Sequence, residues 1–153
     1  MPTDERLTRH FFLSQLTVSP LMGQAGLRNQ PLGQQIENLR RLAQTLEVVR
    51  AHLDGATICV LRAFRVRPHH LPVGSVDDAA GEGRSAEFIA PEFGSPREIC
   101  AHLVAHGVAF DRLVNAGDWV QLDIPPVGRS PRRQVQTGCF EFAAPMRYME
   151  GLL

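Results

Sequence analysis

The feature that most limits how this chain can fold is an apolar helical stripe that ends at a glycine, just before a short apolar run. Within residues 32–53, apolar side chains follow one another at steps of three and four, whereas charged and amide side chains fall elsewhere. The stripe consists of Leu32, Ile36, Leu39, Leu42, Ala43, Leu46, Val49 and Leu53. Gly55 stands where a C-terminal cap is expected, and residues 56–61 are mostly β-branched or apolar and too few for a second helix. The segment therefore predicts a helix packed against a buried strand.

The length and charge of the chain indicate the broad class of protein. At 153 residues the chain suits one domain with its own core, over residues 1–153, with a lead-in at 1–30 and a tail at 143–153. Sixteen basic and sixteen acidic residues cancel, so we expect no nucleic-acid partner. The charged start lacks the apolar region of a signal peptide and no apolar run is long enough for a membrane span, so we expect synthesis in the cytoplasm. We expect reduced thiols, without a disulfide framework, at Cys59, Cys100 and Cys139.

Helix and strand signals alternate along the rest of the chain. Residues 10–17 predict a short first helix, and Ser95, followed by a proline and by Glu98, forms a capping box that begins another helix. Short runs bounded by turn residues predict strands at residues 85–89, 108–114, 119–124 and 134–142, of which the second and third form a hairpin. The second hairpin strand has one side that could line a cleft or a solvated surface, formed by Trp119, Gln121 and Asp123. We predict an α+β fold with a small, mostly antiparallel sheet and helices packed on one side of it.

Histidines and acidic residues supply candidate metal ligands. His102 and His106 lie four residues apart on a predicted helix, a spacing that could place both imidazoles on one metal. The glutamate of a zinc-protease helix is absent between them, so we favour a structural role. The loop of residues 69–84 is long for a compact domain, and long loops are often functional. Possible zinc or calcium ligands in and after this loop, for which solvated side chains are the simpler interpretation, are His69, His70, Asp77, Asp78, Glu82 and Glu87.

Arginines supply candidate anion contacts. Arg62, Arg65 and Arg67 lie on one extended segment and could clamp an anion or carboxylate, although a solvated strand face explains them more simply. A second basic segment could contact phosphate but lacks interleaved aromatic residues, and surface solubility explains it; it consists of Ser130, Pro131, Arg132 and Arg133. The chain has no phosphate-binding glycine loop and no nucleophile elbow.

Several short motifs occur in a characteristic order along the chain. They are residues 11–17, residues 36–43, Glu47-Val48-Val49-Arg50, Phe64-Arg65, Phe93-Gly94-Ser95-Pro96 with Glu98, Phe110-Asp111-Arg112-Leu113, Trp119-Val120, residues 132–137 and Arg147-Tyr148. Together they resemble the zinc D-alanyl-D-alanine peptidase family with the hedgehog/DD-peptidase fold, in particular the short versions encoded by tailed phages and prophages. The likeness covers residues 11–153 and implies a hedgehog/DD-peptidase-like domain.

The chain departs from this family at the positions that carry its chemistry. The family binds zinc through the His and the Asp of a Ser-x-His-x-x-Gly-x-Ala-x-Asp pattern and through a later His, two residues after a Trp. With Gly83 at the glycine of the pattern, Ala80 and Glu87 stand at the first two ligand positions. At the third, Trp119 is followed two residues later by Gln121. The resemblance therefore leaves one possible zinc donor, Glu87, at the three ligand positions.

The resemblance also implies the loss of the catalytic base. The position of the family's catalytic glutamate falls at or near Ala116, and of its Ser-Gly-Tyr-Arg-Ser segment only Arg65 and an aromatic residue remain. Zinc needs at least three protein ligands and an open water position, so metal, activated water and base would all be missing. We expect a non-catalytic homologue without a cofactor, in which a vestigial cleft contains Arg65, Ala80, Glu87, Trp119 and Gln121.

Three functions are compatible with this resemblance. The leading hypothesis, by analogy with the usual setting of the family, is a structural or attachment component of a phage or phage-like particle, made in the bacterial cytoplasm and bound to other virion proteins. The second is a module that binds peptidoglycan stem peptides through Arg65, Glu87, Trp119 and Gln121. The third is an active zinc peptidase with relocated ligands, which would also need a new base and would draw on His69, His70 and Asp77 or Asp78.

Overall fold

The computed structural model describes residues 4–18, 29–66, 79–139 and 146–152, which contain three helices and six strands. The helices are α1 (Leu13–Leu16), α2 (Gln34–His52) and α3 (Pro96–Ala105). The strands are β1 (Cys59–Arg62), β2 (Ser85–Ile89), β3 (Arg112–Asn115), β4 (Val120–Asp123), β5 (Gln134–Cys139) and β6 (Arg147–Glu150). The prediction of an α+β fold is confirmed. None of the helices in these ranges is both long and apolar enough to cross a membrane.

The main helix forms where the apolar stripe predicts it. Its buried face includes Leu39, Leu42 and Leu46, none of which is exposed to solvent. Gly55 adopts a φ of +76° and donates its N–H to the carbonyl of Arg50 at 3.0 Å, which completes the expected glycine stop. The helix begins later than the stripe, and the first stripe residue precedes it and is 68% exposed.

The strand after this helix is shifted from its predicted position. We expected a buried strand at residues 56–61, but β1 begins at Cys59, and its exposed and half-buried residues alternate. The buried residues Ala56 and Ile58 lie in the connection that precedes it. The expectation of a buried strand is wrong because β1 lies at an edge of the sheet, where, among the described residues, it pairs with β2 alone.

The second long helix begins at the predicted cap. The hydroxyl of Ser95 accepts the backbone N–H of Glu98 at 3.2 Å, and a proline occupies the first turn, where its missing N–H leaves no bond unmade. The apolar side of α3, with Ile99 and Leu103 fully buried, packs into the same core as α2. Local sequence therefore fixes both long helices.

The sheet has the strand order β1-β2-β4-β3-β5-β6. The predicted hairpin is present as β3 and β4, and all adjacent pairs are antiparallel except β3 with β5, which are parallel. The last strand, β6, lies in the segment predicted as a tail and pairs with β5 of the same chain. Of the predicted strand at residues 134–142, Gln134–Cys139 form β5, and residues 140–142 lie outside the described ranges.

The two faces of the sheet have different chemistry. One face packs against the helices and contributes apolar side chains to the core, among them Phe88, Leu113 and Leu122. Because side chains alternate along a strand, the other face takes the intervening positions. This second surface, called the polar face below, carries Arg62, Ser85, Glu87, Arg112, Gln121, Asp123, Gln134, Gln136 and Glu150.

Candidate functional site

Three neighbouring strands place an ion pair and an amide side by side on the polar face. Strand register puts Arg62 of β1 opposite Glu87 of β2, and Glu87 opposite Gln121 of β4. The Nε of Arg62 donates to the carboxylate of Glu87, whose side chain is 16% exposed. The guanidinium also lies 4.9 Å from the centre of the Trp119 ring, a cation–π distance. Glu87 is therefore neutralised by an arginine of the same chain.

A cavity of about 220 Å³ opens beside this pair and is called the polar-face cavity. Four of the five residues predicted to form the vestigial cleft line it, namely Arg65, Ala80, Glu87 and Gln121. The fifth, Trp119, reaches the site through its contact with Arg62. Residues that are far apart in the sequence are thus brought to one place by the sheet and by the turn before β2.

The donors at the predicted metal positions do not fit a zinc ion. Ala80 has no donor atom, Glu87 is paired with Arg62, and the amide of Gln121 donates to Asp123 Oδ1 at 3.2 Å. Across the described ranges, no three His, Cys, Asp or Glu side chains are grouped so that they could hold a metal ion. Ala116, at or near which the resemblance places a catalytic glutamate, is a buried residue without an ionisable group. The proposed ligands His69, His70, Asp77 and Asp78 lie outside the described residues.

The two histidines at helical spacing bind backbone carbonyls. A ring nitrogen must donate to a carbonyl oxygen, so Nε2 of His102 donates to the carbonyl of His52 at 2.8 Å. Likewise Nδ1 of His106 donates to the carbonyl of His102 at 2.8 Å. These contacts satisfy carbonyls at the C-terminal ends of α2 and α3, which supports the structural role expected for both residues.

A buried arginine at the floor of the polar-face cavity was missed by sequence reasoning. Arg112 of β3 lines the cavity, and its side chain is only 7% exposed. Its Nε donates to Gln136 Oε1 at 2.7 Å, and its guanidinium packs 4.4 Å from the centre of the Tyr148 ring. The nearest carboxylate oxygen among the described residues, on Asp123, is 3.9 Å from Nη1. The available signal was a charged residue inside a run predicted to be a strand.

The carboxyl of Asp123 is the most deeply buried acid on this face. Burial raises the pKa of Asp123 above its ordinary value, because removal from water disfavours the charged form. Hydrogen bonds from Ser85 and Gln121 and the charges of Arg84 and Arg112 act in the opposite direction and do not compensate fully. The distance of 3.9 Å between Asp123 Oδ2 and Nη1 of Arg112 is longer than a hydrogen bond.

Two of the remaining charged candidates, Arg132 and Glu82, form local pairs. Arg132, from the basic segment considered for phosphate binding, donates from its backbone N–H and its guanidinium to Asp111. Burial raises the pKa of Asp111, but these bonds outweigh burial and hold it below its ordinary value. Glu82, considered for calcium, accepts from Arg84 at 2.6 Å. Of the arginine clamp, Arg62 and Arg65 line the polar-face cavity, and the third member lies outside the described residues.

Comparison with models of protein families, with curated proteins and with solved structures gives no match. The likeness to the zinc peptidases remains a prediction that rests on the sequence motifs.

Proposed function

We propose that this protein is a non-catalytic homologue of phage peptidoglycan peptidases that acts as a structural or attachment component of a phage or phage-like particle. The observation that carries the non-catalytic part is the pairing of Glu87 with Arg62. Glu87 is the one remaining donor at the three predicted ligand positions, and its carboxylate already forms an ion pair with Arg62. The particle setting rests on analogy with the family alone.

Electrostatics gives this proposal its physical basis. A zinc ion at the cavity would have to displace Arg62 from Glu87 and then remain near its positive charge. Ala80 supplies no ligand in return, and the amide of Gln121 is a weak ligand compared with the imidazole of the family. Without the metal no water is activated, and Ala116 cannot take a proton.

Zinc content tests the non-catalytic part directly. Native mass spectrometry of protein purified with zinc and dialysed against a weak chelator should show no bound metal. A matched variant, Ala80→His with Gln121→His and Arg62→Ala, should gain up to one zinc, because two imidazoles and the freed Glu87 would then share the cavity. About one tightly held zinc in the unaltered protein, with hydrolysis of a stem peptide, would overturn the proposal. A variant that gains no zinc would show that the assigned ligand positions are wrong.

The attachment role requires a separate measurement. Particles purified from the host that encodes this chain should contain it at a fixed ratio to the other virion proteins, as measured by quantitative mass spectrometry. Its loss from particles during density-gradient purification would argue against attachment.

The polar-face cavity favours one further candidate, a module that binds peptidoglycan stem peptides. The cavity offers the guanidinium of Arg65 and the polar groups of Glu87 and Gln121 to a ligand. Titration with muropeptides should then give saturable binding that Arg65→Gln weakens. Absence of saturation would remove this candidate without affecting the attachment role.

A further inference from the structure

The buried guanidinium of Arg112 has spare hydrogen-bonding capacity at the floor of the polar-face cavity. A guanidinium carries five N–H donors, and within the described residues the side chain of Arg112 makes one hydrogen bond, from Nε to Gln136. Its ion-pair contact with Asp123, at 3.9 Å, is longer than a hydrogen bond. The terminal nitrogens are therefore available to a ligand in the cavity that Arg112 lines.

The positive charge of Arg112 also has no hydrogen-bonded carboxylate within the described residues. A buried charge is costly unless it is paired and hydrogen-bonded. Within the described residues Asp123 is the nearest carboxyl, 3.9 Å from Nη1, and burial raises its pKa because it disfavours the charged form. Within the part of the chain that the structure describes, the guanidinium also contacts the neutral amide of Gln136 and the ring of Tyr148.

The charges around the cavity add up to an excess of positive charge. Arg62 is cancelled by Glu87, which leaves Arg65 and Arg112. Arg65 is exposed, and its side chain has no hydrogen bond or ion pair within the described residues. A site with one exposed guanidinium and one buried guanidinium, whose ion-pair contact with Asp123 is 3.9 Å long, attracts an anion. Arginine matches the geometry of carboxylate and phosphate oxygens.

We propose that the polar-face cavity binds an oxyanion, a carboxylate or a phosphate group, with Arg112 as its buried anchor and Arg65 as its exposed contact. This inference rests on the proposed non-catalytic function and adds the chemical class of the ligand. Tyr148, from the C-terminal strand β6, positions the anchor, because its ring stacks against the guanidinium and limits the rotation of the planar group. The cavity volume of about 220 Å³ admits a small anionic group or the end of a chain.

Anion titrations of the whole protein test this proposal. We would follow amide chemical shifts by NMR during additions of inorganic phosphate, acetate and a muropeptide at constant ionic strength. At least one probe should bind saturably, with the largest shifts on β3 and β4. Arg112→Gln should weaken binding roughly tenfold or more, since a hydrogen bond to a charged group is lost. Arg9→Gln, which removes an exposed arginine outside the cavity, should leave binding unchanged.

Two further variants keep the test decisive if Arg112→Gln fails to fold. Arg65→Gln changes an exposed side chain and should weaken binding while thermal unfolding stays unchanged. Arg112→Lys retains the charge but not the planar fork, and should bind more weakly than the unaltered protein. Tighter binding of phosphate than acetate would identify a phosphorylated ligand, and tighter binding of the muropeptide would identify a peptide carboxylate.

The outcomes separate this inference from the proposed function. The oxyanion site would be overturned if no probe binds saturably, or if Arg112→Lys and Arg65→Gln both bind as tightly as the unaltered protein. Neither result would affect the proposal of a non-catalytic protein. Retention of zinc by the unaltered protein would instead overturn the proposed function.

Discussion

Asp111, which precedes β3, forms hydrogen bonds with residues at the start of β5. The variant Asp111→Ala tests whether these bonds stabilise the parallel pairing of the two strands. Its carboxylate accepts the backbone N–H of Arg132 at 3.0 Å and Nη2 of the same residue at 2.9 Å. Its own carbonyl accepts the N–H of Gln134, the first residue of β5, at 3.0 Å. Without the carboxylate, the backbone N–H and the guanidinium of Arg132 lose their acceptor just before β5 begins.

The size of the effect follows from these contacts. A hydrogen bond to a charged group contributes about 1.5–3 kcal/mol to the free energy of unfolding. The Arg132 side chain is 56% exposed, so its ion pair with Asp111 adds only about 0.2–1 kcal/mol. We therefore expect Asp111→Ala to lower the free energy of unfolding by about 2–4 kcal/mol at pH 7.

The pH dependence of this cost has a definite sign. The pKa of Asp111 is lower in the folded protein than its ordinary value, so its stabilisation is fully present above the unfolded pKa of about 3.9. The stabilisation is lost as pH falls through the lower, folded pKa. The difference between the unaltered protein and Asp111→Ala should therefore shrink as pH falls below about 4.

Urea unfolding at pH 7 and at several values between pH 5 and pH 2.5 would measure the difference. Asp118→Ala, at an exposed carboxylate in the β3–β4 turn, is the control and should change the free energy of unfolding by less than about 0.5 kcal/mol. A cost for Asp111→Ala as small as that of the control, or a cost that does not change with pH, would refute the reasoning.

Three other predictions concern the packing of the fold. Gly83→Ala should destabilise the protein by about 1–3 kcal/mol more than Gly128→Ala in urea unfolding. Both glycines have a positive φ, but an added Cβ at Gly83 would meet a carbonyl oxygen of α2 at 2.7 Å, whereas the second site is open; equal costs would contradict this. Burial raises the pKa of the Cys100 thiol to about 12, so iodoacetamide at pH 8 should alkylate exposed Cys59 first, as mass spectrometry would show; equal labelling would contradict this. Ser95→Ala should cost about 1 kcal/mol in thermal unfolding through loss of the helix cap, and no loss would contradict the cap.

The parts of the candidate site that the sequence identified are those with local signals. The alternation of residues 119–124 placed Gln121 and Asp123 on one side of a strand, and both lie on the polar face. The local signal at Arg112, a charged residue in a predicted strand, did not indicate burial, because that burial depends on β5 and β6, which lie more than twenty residues away in the chain. A charged residue in a short strand looks the same whether it faces solvent or a neighbouring strand.

Four of the residues that the resemblance assigns to a cleft line the polar-face cavity, but the resemblance did not predict their interactions. It assigned Ala80 and Glu87 to the first two zinc-ligand positions of the family pattern. It did not predict the contact of Arg62 with Glu87, which depends on the pairing of β1 and β2. The ion pair of Arg62 with Glu87 is the main observation against a metal centre at this cavity.

The sequence by itself determined the elements whose formation depends on neighbours a few residues apart. The apolar stripe fixed α2, the Ser95 cap fixed the start of α3, and alternation fixed the hairpin, because these are short-range preferences of helix and strand. Only the tertiary structure decided the parallel pairing of β3 with β5, the return of β6, and the register that joins Arg62 to Glu87 and buries Arg112. Register and strand order depend on contacts between distant segments, and a shift of one residue would turn each of these side chains to the other face of the sheet.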